Sequence, residues 1–410
     1  MKLLLFLFLP TVIFALPNGL EVQNGKASAT KGEHSLLVEN TSNAILHWND
    51  FSIGKGEQVH FEQPHTRSVV LNRVTSDQRS HLFGQLTSNG MVFLINPNGV
   101  LIGADASIET GGFLASTANL SPDHFLKGHY LFSDPSEEKI TNQGVIHCPQ
   151  GNVYFIAKTI KNSGTINGEN VAFVSAQEVL ITPHEEEKVS IRLLLEESEI
   201  KELSEDLQVI SPYAKAIHHT GTIQALGARE ENGRIYLVAQ NEQNCIEGSL
   251  EATGGEVQVL GQEVYVTETA KIDVSGPRGG TLLIGRDAVE NFPAQKTTVE
   301  KGAQLAANGT EQDAGKIIIW SETDTYCAAS INAAAIGPEG NGGFLEISGK
   351  KTADTPLFPN LSSQNGRAGK FLIDPGSIDI IAGGDTGTGG MYGVSYIQGL
   401  LDPSQVLMSS

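Results

Sequence analysis

Short apolar runs separated by Asn, Gly and Pro dominate residues 69–120 of the chain. The apolar runs are residues 69–71, Met91–Ile95 and Val100–Ile102. Between the last two lie Asn96, Pro97, Asn98 and Gly99, which we call the Asn96 corner. Proline presets φ near about −65° for a turn, and Asn and Gly tolerate positive φ. The pattern therefore predicts a strand, a tight turn and a second strand.

A Gly-x-apolar phrase followed by a strand-like run recurs along the rest of the chain. Its first two copies, at Gly144 and Gly164, lie twenty residues apart. A fixed period of about 20 to 30 residues is typical of a solenoid, in which each coil packs only on its neighbours. The phrase predicts an all-β fold, a parallel β-helix. Asn142, Asn162 and Ser163 are expected to form inward side-chain ladders at its corners.

Two segments interrupt this pattern. Residues 184–210 are highly charged, with Ile200, Leu203 and Leu207 at helical spacing and Ser198 as a candidate N-cap. We interpret them as a small extra-helical insertion whose apolar stripe covers the flank of the rod, although such insertions can also be binding elements. Residues 381–410 are interpreted as a Gly-rich loop followed by an incomplete final coil.

Composition narrows the classes of function. The 410 residues carry 27 Lys+Arg against 47 Asp+Glu, a formal net charge of −20. Such a surface repels phosphate backbones, so no nucleic-acid partner is expected. Gly is abundant, with 45 residues, and aromatic residues make up only 6%. This mixture favours short strands joined by tight turns.

The first fifteen residues are predicted to be a signal peptide. Lys2 precedes an apolar stretch, and Ala15 is a plausible last residue before cleavage. An uncleaved N-terminal anchor is the alternative. The three cysteines, Cys148, Cys245 and Cys327, are odd in number and lack CxxC spacing. A secreted chain without a disulfide framework suits passage across a second membrane in an unfolded state, and small core residues are an equally simple explanation.

Motifs for catalysis and cofactors are weak. The run GGDTGTGGMYG lacks the Lys-Ser/Thr of a phosphate-binding loop, and no G-x-S-x-G motif occurs. His218 and His219 are adjacent, and neighbouring strand residues point to opposite faces, so this pair is not expected to share one metal. No carboxylate pair is singled out, and residues 185–187 are interpreted as a solvated acidic face. We predict no enzyme, no cofactor and no metal site.

Residues 16–121 resemble the two-partner secretion (TPS) domain of filamentous haemagglutinin-like adhesins. The resemblance is carried by LPNGLEV, HWNDFSIGKGEQVHFEQP, VVLNRVTSDQRSHLFGQLTSNGMVFLINPNGVLIG and GGFLAST. GGFLEISGKK and GKFLIDP resemble closing phrases of the same proteins. The implied fold is a right-handed parallel β-helix, with a TPS domain over residues 16–135 and a β-helix extension over residues 136–380.

The resemblance also implies a route of export. Such proteins use the Sec machinery and then a dedicated outer-membrane transporter, whose periplasmic domains recognise the N-terminal module. The family's Asn-Pro-Asn secretion motif maps onto the Asn96 corner, and its NRV phrase begins at Asn72 and Arg73. The founding adhesin has two Asn-Pro-Asn motifs, whereas this chain has one.

The resulting expectation is an exported adhesin, or its secretion head, located outside the cell or on its surface. Its partners would be the transporter and a host-cell glycan or receptor. Two alternatives remain open: a β-helix enzyme acting on polysaccharide, and a truncated contact-dependent toxin precursor. An exposed carboxylate cluster flanked by aromatic residues on one coil face would favour the enzyme.

Overall fold

Parallel strands wind into a right-handed β-helix with three faces. The structure is a computed structural model, which describes residues 16–183, 189–193, 215–225, 233–286, 293–355, 358–375 and 406–408. Strands are numbered in chain order. The first face contains β4 (Ala44–Trp48), β6 (Val69–Val74), β9 (Met91–Ile95), β12 (Gly112–Ser116), β17 (Val153–Ile156), β20 (Asn170–Ser175), β25 (Arg234–Ile246), β27 (Glu256–Val266), β29 (Thr281–Ile284), β32 (Lys316–Ser321), β35 (Phe344–Gly349) and β37 (Lys370–Pro375).

The other two faces follow the first within each coil. The long strands β25 and β27 continue from the first face onto the second. The second face also contains β7 (Ser80–Leu82), β10 (Val100–Ile102), β15 (Lys139–Asn142), β18 (Thr159–Asn162), β23 (Lys215–His219), β30 (Lys296–Val299), β33 (Asp324–Cys327) and β36 (Thr352–Asp354). The third face contains β3 (Ser35–Asn40), β5 (Gln58–Glu62), β8 (Gln85–Ser88), β11 (Ser107–Glu109), β16 (Val145–Cys148), β19 (Thr165–Gly168), β24 (Thr222–Ala225), β26 (Ser249–Glu251), β28 (Lys271–Asp273), β31 (Gln304–Ala306) and β34 (Ser330–Asn332).

Antiparallel strands flank the parallel stack. β1 (Glu21–Asn24) pairs with β4, and β2 (Ala27–Lys31) pairs with β3, both antiparallel. These two strands cover the edge of the first coil, which would otherwise present unpaired backbone groups. β38 (Val406–Met408) pairs antiparallel with β37.

The glycines of the recurring phrase stack on one another, as the sequence pattern predicts. They form the corner between the second and third faces. A Cβ on Gly164 would lie 2.2 Å from the Gly144 carbonyl oxygen, and one on Gly221 would lie 2.1 Å from that of Gly164. The period itself is not fixed, since hydrogen-bonded neighbours on adjacent coils lie 20 residues apart at Asn142–Asn162 and 28 apart at Asn332–Asn360. The corners, rather than the coil lengths, are what repeats.

A polar ladder runs inside the second face. The Asn142 Nδ2 donates to Asn162 Oδ1 at 2.8 Å, and the Asn162 Nδ2 lies 3.1 Å from His219 Nδ1. The His219 Nε2 lies 3.2 Å from the Ser249 carbonyl oxygen. Because an amide N–H donates to Nδ1, His219 is neutral and carries its proton on Nε2. The predicted inward ladder is confirmed for the two asparagines, and Ser163 donates instead to the Asn142 carbonyl, at 3.4 Å.

Stability is expected to fall in mild acid because of His219. Burial lowers the pKa of His219 from 6.5 to about 4. The unfolded chain therefore binds a proton on this histidine below pH 6.5, whereas the folded chain binds it only below about pH 4. Stability is lost as the pH falls through this window. From pH 7 to pH 5 the loss should be about 2 kcal/mol. Urea denaturation at both pH values measures it. The His219→Asn variant preserves an amide ladder and removes the titrating group, so its loss of stability between the two pH values should be smaller by about 2 kcal/mol. An identical pH dependence in the variant would contradict this assignment.

A four-stranded antiparallel sheet lies outside the β-helix and covers part of the first face. It contains β13 (Asn119–Leu120), β14 (Tyr130–Ser133), β21 (Glu178–Pro183) and β22 (Val189–Leu193), with α1 (Pro122–Leu126) between its first two strands. We call it the cover sheet. Its Phe132 and the helix residue Phe125 pack with Phe93 and Tyr154 from the first face in one buried cluster. The outward side of the early first-face strands is therefore as apolar as the inward side.

Both segments that build the cover sheet leave the coils at the same place, the corner between the first and second faces. One leaves after β12 and returns at β15; the other leaves after β20 and returns at β23. The insertion expected near residues 184–210 lies in the second of these excursions. Strand β22 is the part of residues 184–210 that the structure describes. The first excursion was missed. The described residues do not include Ser198, the helical stripe at Ile200, Leu203 and Leu207, or the Gly-rich loop of residues 382–393.

Candidate functional site

The Asn96 corner closes the turn from β9 on the first face to β10 on the second. Asn96 is fully buried, and its side chain makes several hydrogen bonds. The Nδ2 donates to the Gln78 carbonyl at 2.9 Å and to Ser80 Oγ at 3.0 Å. The Oδ1 accepts from the Asn98 backbone N–H at 2.9 Å. One side chain thus closes its own turn and ties it to the preceding coil.

The other three residues complete the corner in different ways. Asn98 is half-buried, and its Nδ2 donates to the Ser76 carbonyl at 2.8 Å. Gly99 has a φ of 92°, and its N–H donates to the Asn96 carbonyl at 3.0 Å. A Cβ on Gly99 would lie 2.8 Å from the Lys139 carbonyl oxygen. Both the positive φ and this close approach therefore require glycine. Pro97 is the exposed member of the turn.

Polar side chains from the coil before and from the returning first excursion surround the corner. The Arg79 Nε donates to the Asn98 carbonyl at 3.2 Å, and the same guanidinium forms an ion pair with Glu138. The Ser136 Oγ donates to the Pro97 carbonyl at 2.5 Å. The Arg79–Glu138 pair is partly exposed, so its contribution to stability is small. The pair nevertheless fixes Glu138, at the end of the first excursion, beside the Asn96 corner.

Asn72 and Arg73 lie on β6, directly beside the strand that leads into the corner. In the parallel register Asn72 faces Leu94 and Arg73 faces Ile95, the residue before Asn96. Asn72 points inward, where its Oδ1 accepts from Trp48 Nε1 at 2.9 Å and its Nδ2 donates to the Phe93 carbonyl at 3.3 Å. The structure therefore brings the two sequence-predicted motifs together.

Arg73 points the other way, toward the cover sheet. Its guanidinium donates to Asn119 Oδ1 at 2.5 Å and to the Leu120 carbonyl. Burial lowers the pKa of Arg73, but a guanidinium remains charged at any physiological pH. Arg73 thus fastens β13 of the cover sheet to the second coil.

Sequence reasoning missed Arg79, Ser80, Ser136 and Glu138. The first two lie in the quoted phrase NRVTSDQRSH, so their position one coil before the corner was a usable signal. Ser136 and Glu138 come from the return of an excursion that the sequence pattern did not predict. The polar groups of the site are amides and carbonyls that are hydrogen-bonded to one another. It offers neither an activated nucleophile nor an acid and base within reach of one another.

The fold and the corner define a secretion-type β-helix with an N-terminal cap and an outer cover sheet. The family model described as the TPS secretion domain matches residues 13–259, more than half of the chain. The chain belongs to this family, which is the secretion domain of exported two-partner proteins. Proteins with this domain are secreted across the outer membrane. The match confirms the resemblance, and the likeness to a solved secretion domain confirms the predicted right-handed β-helix.

Individual relatives support the same assignment. The crystal structure of the HMW1 secretion domain from Haemophilus influenzae superposes with a TM-score of 0.64 at 27% identity, covering 86% of this chain and all of that one. Two heme/hemopexin-binding proteins of Haemophilus influenzae are 41% and 34% identical over 106 and 110 residues. These alignments cover 26% and 27% of this chain and only 12% of each relative.

Within the part of the chain that the structure describes, no helix combines the length and the apolar character needed to cross a bilayer.

Proposed function

We propose that residues 16–135 are the export head of a two-partner secreted protein, and that the Asn96 corner is the element on which transport depends. The N-terminal fifteen residues would direct Sec export, and a cognate outer-membrane transporter would then recognise the head with its periplasmic domains. The match to the TPS secretion domain is the observation that carries this proposal. The β-helix extension over residues 136–380 would follow the head outward.

The hydrogen bonds of the corner favour recognition before folding. In the folded coil the Asn96 amide is buried, and its donors and acceptor are engaged by Gln78, Ser80 and Asn98. A transporter can reach these groups only while the chain is extended. When the coil closes, the Asn96 side chain forms its bonds to Gln78 and Ser80 in place of those to the transporter. The segment is then released outside.

Two features of the chain suit this route. The three cysteines are buried and form no disulfide bond, so no disulfide loop has to be threaded through a pore. The coils of a solenoid also need only their predecessors to fold, so the chain can fold sequentially as it emerges. The free energy of coil stacking would then bias the movement outward.

Secretion of an Asn98→Val variant tests the role of the corner. Valine removes the Nδ2 bonds to the Ser76 carbonyl and to Asn96 Oδ1, and it is poorly suited to this turn. Coexpressed with the cognate transporter, the variant should appear outside the cell at about a tenth of the normal amount or less, with synthesis unchanged.

Asn308→Val is the matched control. Asn308 is also half-buried and its Oδ1 accepts from the Ala334 N–H at 3.0 Å, but it lies beyond residues 13–259, which match the secretion domain. Its secretion should remain near normal. An equal loss in both variants would show that folding alone, and not the corner, limits export.

Outside the cell, the protein is proposed to act as an adhesin that binds a cell-surface glycan or receptor. A second candidate is capture of heme or of its carrier, because the two relatives are described as heme/hemopexin-binding proteins. Binding of the purified chain to host cells, to a glycan array and to heme–hemopexin separates the two. Adhesion without hemopexin binding supports the first candidate, and the reverse result supports the second.

A further inference from the structure

Three side chains that can bind metal ions converge on the outside of the second face. His218 on β23 lies opposite Cys245 on β25 in the parallel register, and Glu247 follows β25 by one residue. The His218 Nε2 is 2.9 Å from Glu247 Oε1, and the Cys245 Sγ is 3.7 Å from the same oxygen. All three ligand atoms lie within 4.8 Å of one another. We call them the His-Cys-Glu cluster.

Cys245 differs from the other two cysteines in its surroundings. Cys148 and Cys327 belong to the hydrophobic core of the β-helix, whereas Cys245 is buried outside that cluster. On the same outward row lie Lys161 one coil earlier and Tyr265 one coil later. A thiol packs best among apolar side chains, and these surroundings are polar. Thiolate, imidazole and carboxylate are, however, the side-chain ligands that zinc takes in proteins.

We propose that the His-Cys-Glu cluster binds a divalent metal ion of the zinc class. Zinc accepts imidazole nitrogen, thiolate sulfur and carboxylate oxygen together, with water at a fourth position. Zinc bonds of about 2.0 to 2.3 Å in a tetrahedron place neighbouring ligand atoms about 3.3 to 3.8 Å apart. The contacts from Glu247 are 2.9 and 3.7 Å, and the ligand atoms of His218 and Cys245 lie within 4.8 Å of each other, so side-chain shifts of about an ångström form the site.

Hydrogen bonds to its main chain already hold Glu247 in position. The Glu247 N–H donates to the His219 carbonyl at 2.8 Å, and the Thr269 Oγ1 donates to the Glu247 carbonyl at 2.8 Å. Little ordering is therefore needed when the ion binds. Ligand preorganisation of this kind raises affinity because the entropy has been lost on folding.

The position of the cluster indicates what the ion would do. Asn162 and His219 are hydrogen-bonded neighbours on adjacent coils but lie 57 residues apart, because the chain makes an excursion between β20 and β23. β23 is therefore the strand that re-enters the stack after the longer of the two cover-sheet excursions, where closing the loop costs the most entropy. A metal bridge from His218 to Cys245 and Glu247 fastens this re-entry to the next coil. It can form only after the coils have stacked, so it would not obstruct export.

Cobalt titration of the purified full chain, in a non-thiol reductant, tests the proposal. One equivalent of Co²⁺ should bind and produce the near-ultraviolet charge-transfer band of a cobalt–thiolate bond. Cys245→Ser should abolish the band. His218→Gln and Glu247→Gln alter half-exposed side chains, and each should weaken Zn²⁺ binding about tenfold or more in competition with a chromophoric chelator.

Cys327→Ser and His147→Gln are the matched controls, a core cysteine and an exposed histidine of the third face. Both should retain the band and the affinity. Circular dichroism checks that each variant is folded, and the two half-exposed variants remain informative if Cys245→Ser is not. Absence of the band in the parent chain, or a band that survives Cys245→Ser, would overturn the proposal.

Discussion

Replacing Asn96 with leucine is expected to destabilise the N-terminal coils by about 4 kcal/mol. Leucine has nearly the same size but cannot donate to the Gln78 carbonyl or accept from the Asn98 N–H. These groups are shielded from water, and an unmet buried polar group costs about 1 to 3 kcal/mol each. Urea denaturation of the purified chain measures the change, and the secreted amount should fall by about tenfold or more in parallel.

Asn365→Leu makes the same chemical change at an exposed position, where the Nδ2 donates to one backbone carbonyl. It should cost less than about 1 kcal/mol. If Asn96→Leu proved as stable as this control while secretion still fell, the corner would act through recognition alone. If the variant were both stable and secreted, neither role of Asn96 would stand.

Replacing Gly164 with alanine is expected to disrupt the stacking of consecutive coils. The added methyl group would lie 2.2 Å from the Gly144 carbonyl oxygen, with the Asn142 Nδ2 at 2.8 Å. Neither atom can withdraw, because the first is backbone and the second is held in the inward asparagine ladder. Coil separation near residues 144–164 must increase, and we expect a loss of about 3 kcal/mol or more in stability.

The denaturation midpoint and the yield of folded protein measure this effect. Gly56→Asn is the control, because nothing lies within 4 Å of a Cβ there and asparagine tolerates its φ of 80°. The control should change the midpoint little. A Gly164→Ala protein with the parent's midpoint would mean that the corners are looser than their glycine contacts indicate.

Local patterns were sufficient to predict the β-helix. An inward apolar residue such as Ile166 and a corner glycine such as Gly164 recur in each coil, because each coil must bury one side and turn in the same way. The runs MVFLI and VYFI also indicate a layer outside the β-helix. Strands that are apolar at consecutive positions are typically buried on both faces, and these two lie under the cover sheet.

The candidate site was predictable only in part. The family phrases singled out Asn72, Arg73 and the Asn96 corner in the sequence, and the parallel register brings them together in space. Their bonding partners were not predictable in the same way. Ser136 reaches the corner from an excursion whose length and path follow from pairing β14 with β21, far along the chain.

What the amino-acid sequence determined by itself is therefore the repeating unit: short strands, glycine corners and an Asn-Pro-Asn-Gly turn, all set by preferences over a few residues. The tertiary structure alone decided which coils neighbour one another. Coil lengths vary and the cover-sheet excursions interrupt the stack, so the register of His218 against Cys245, and of the cover sheet against the first face, follows no period. Contacts between residues far apart in the chain depend on this summed geometry, which no local preference encodes.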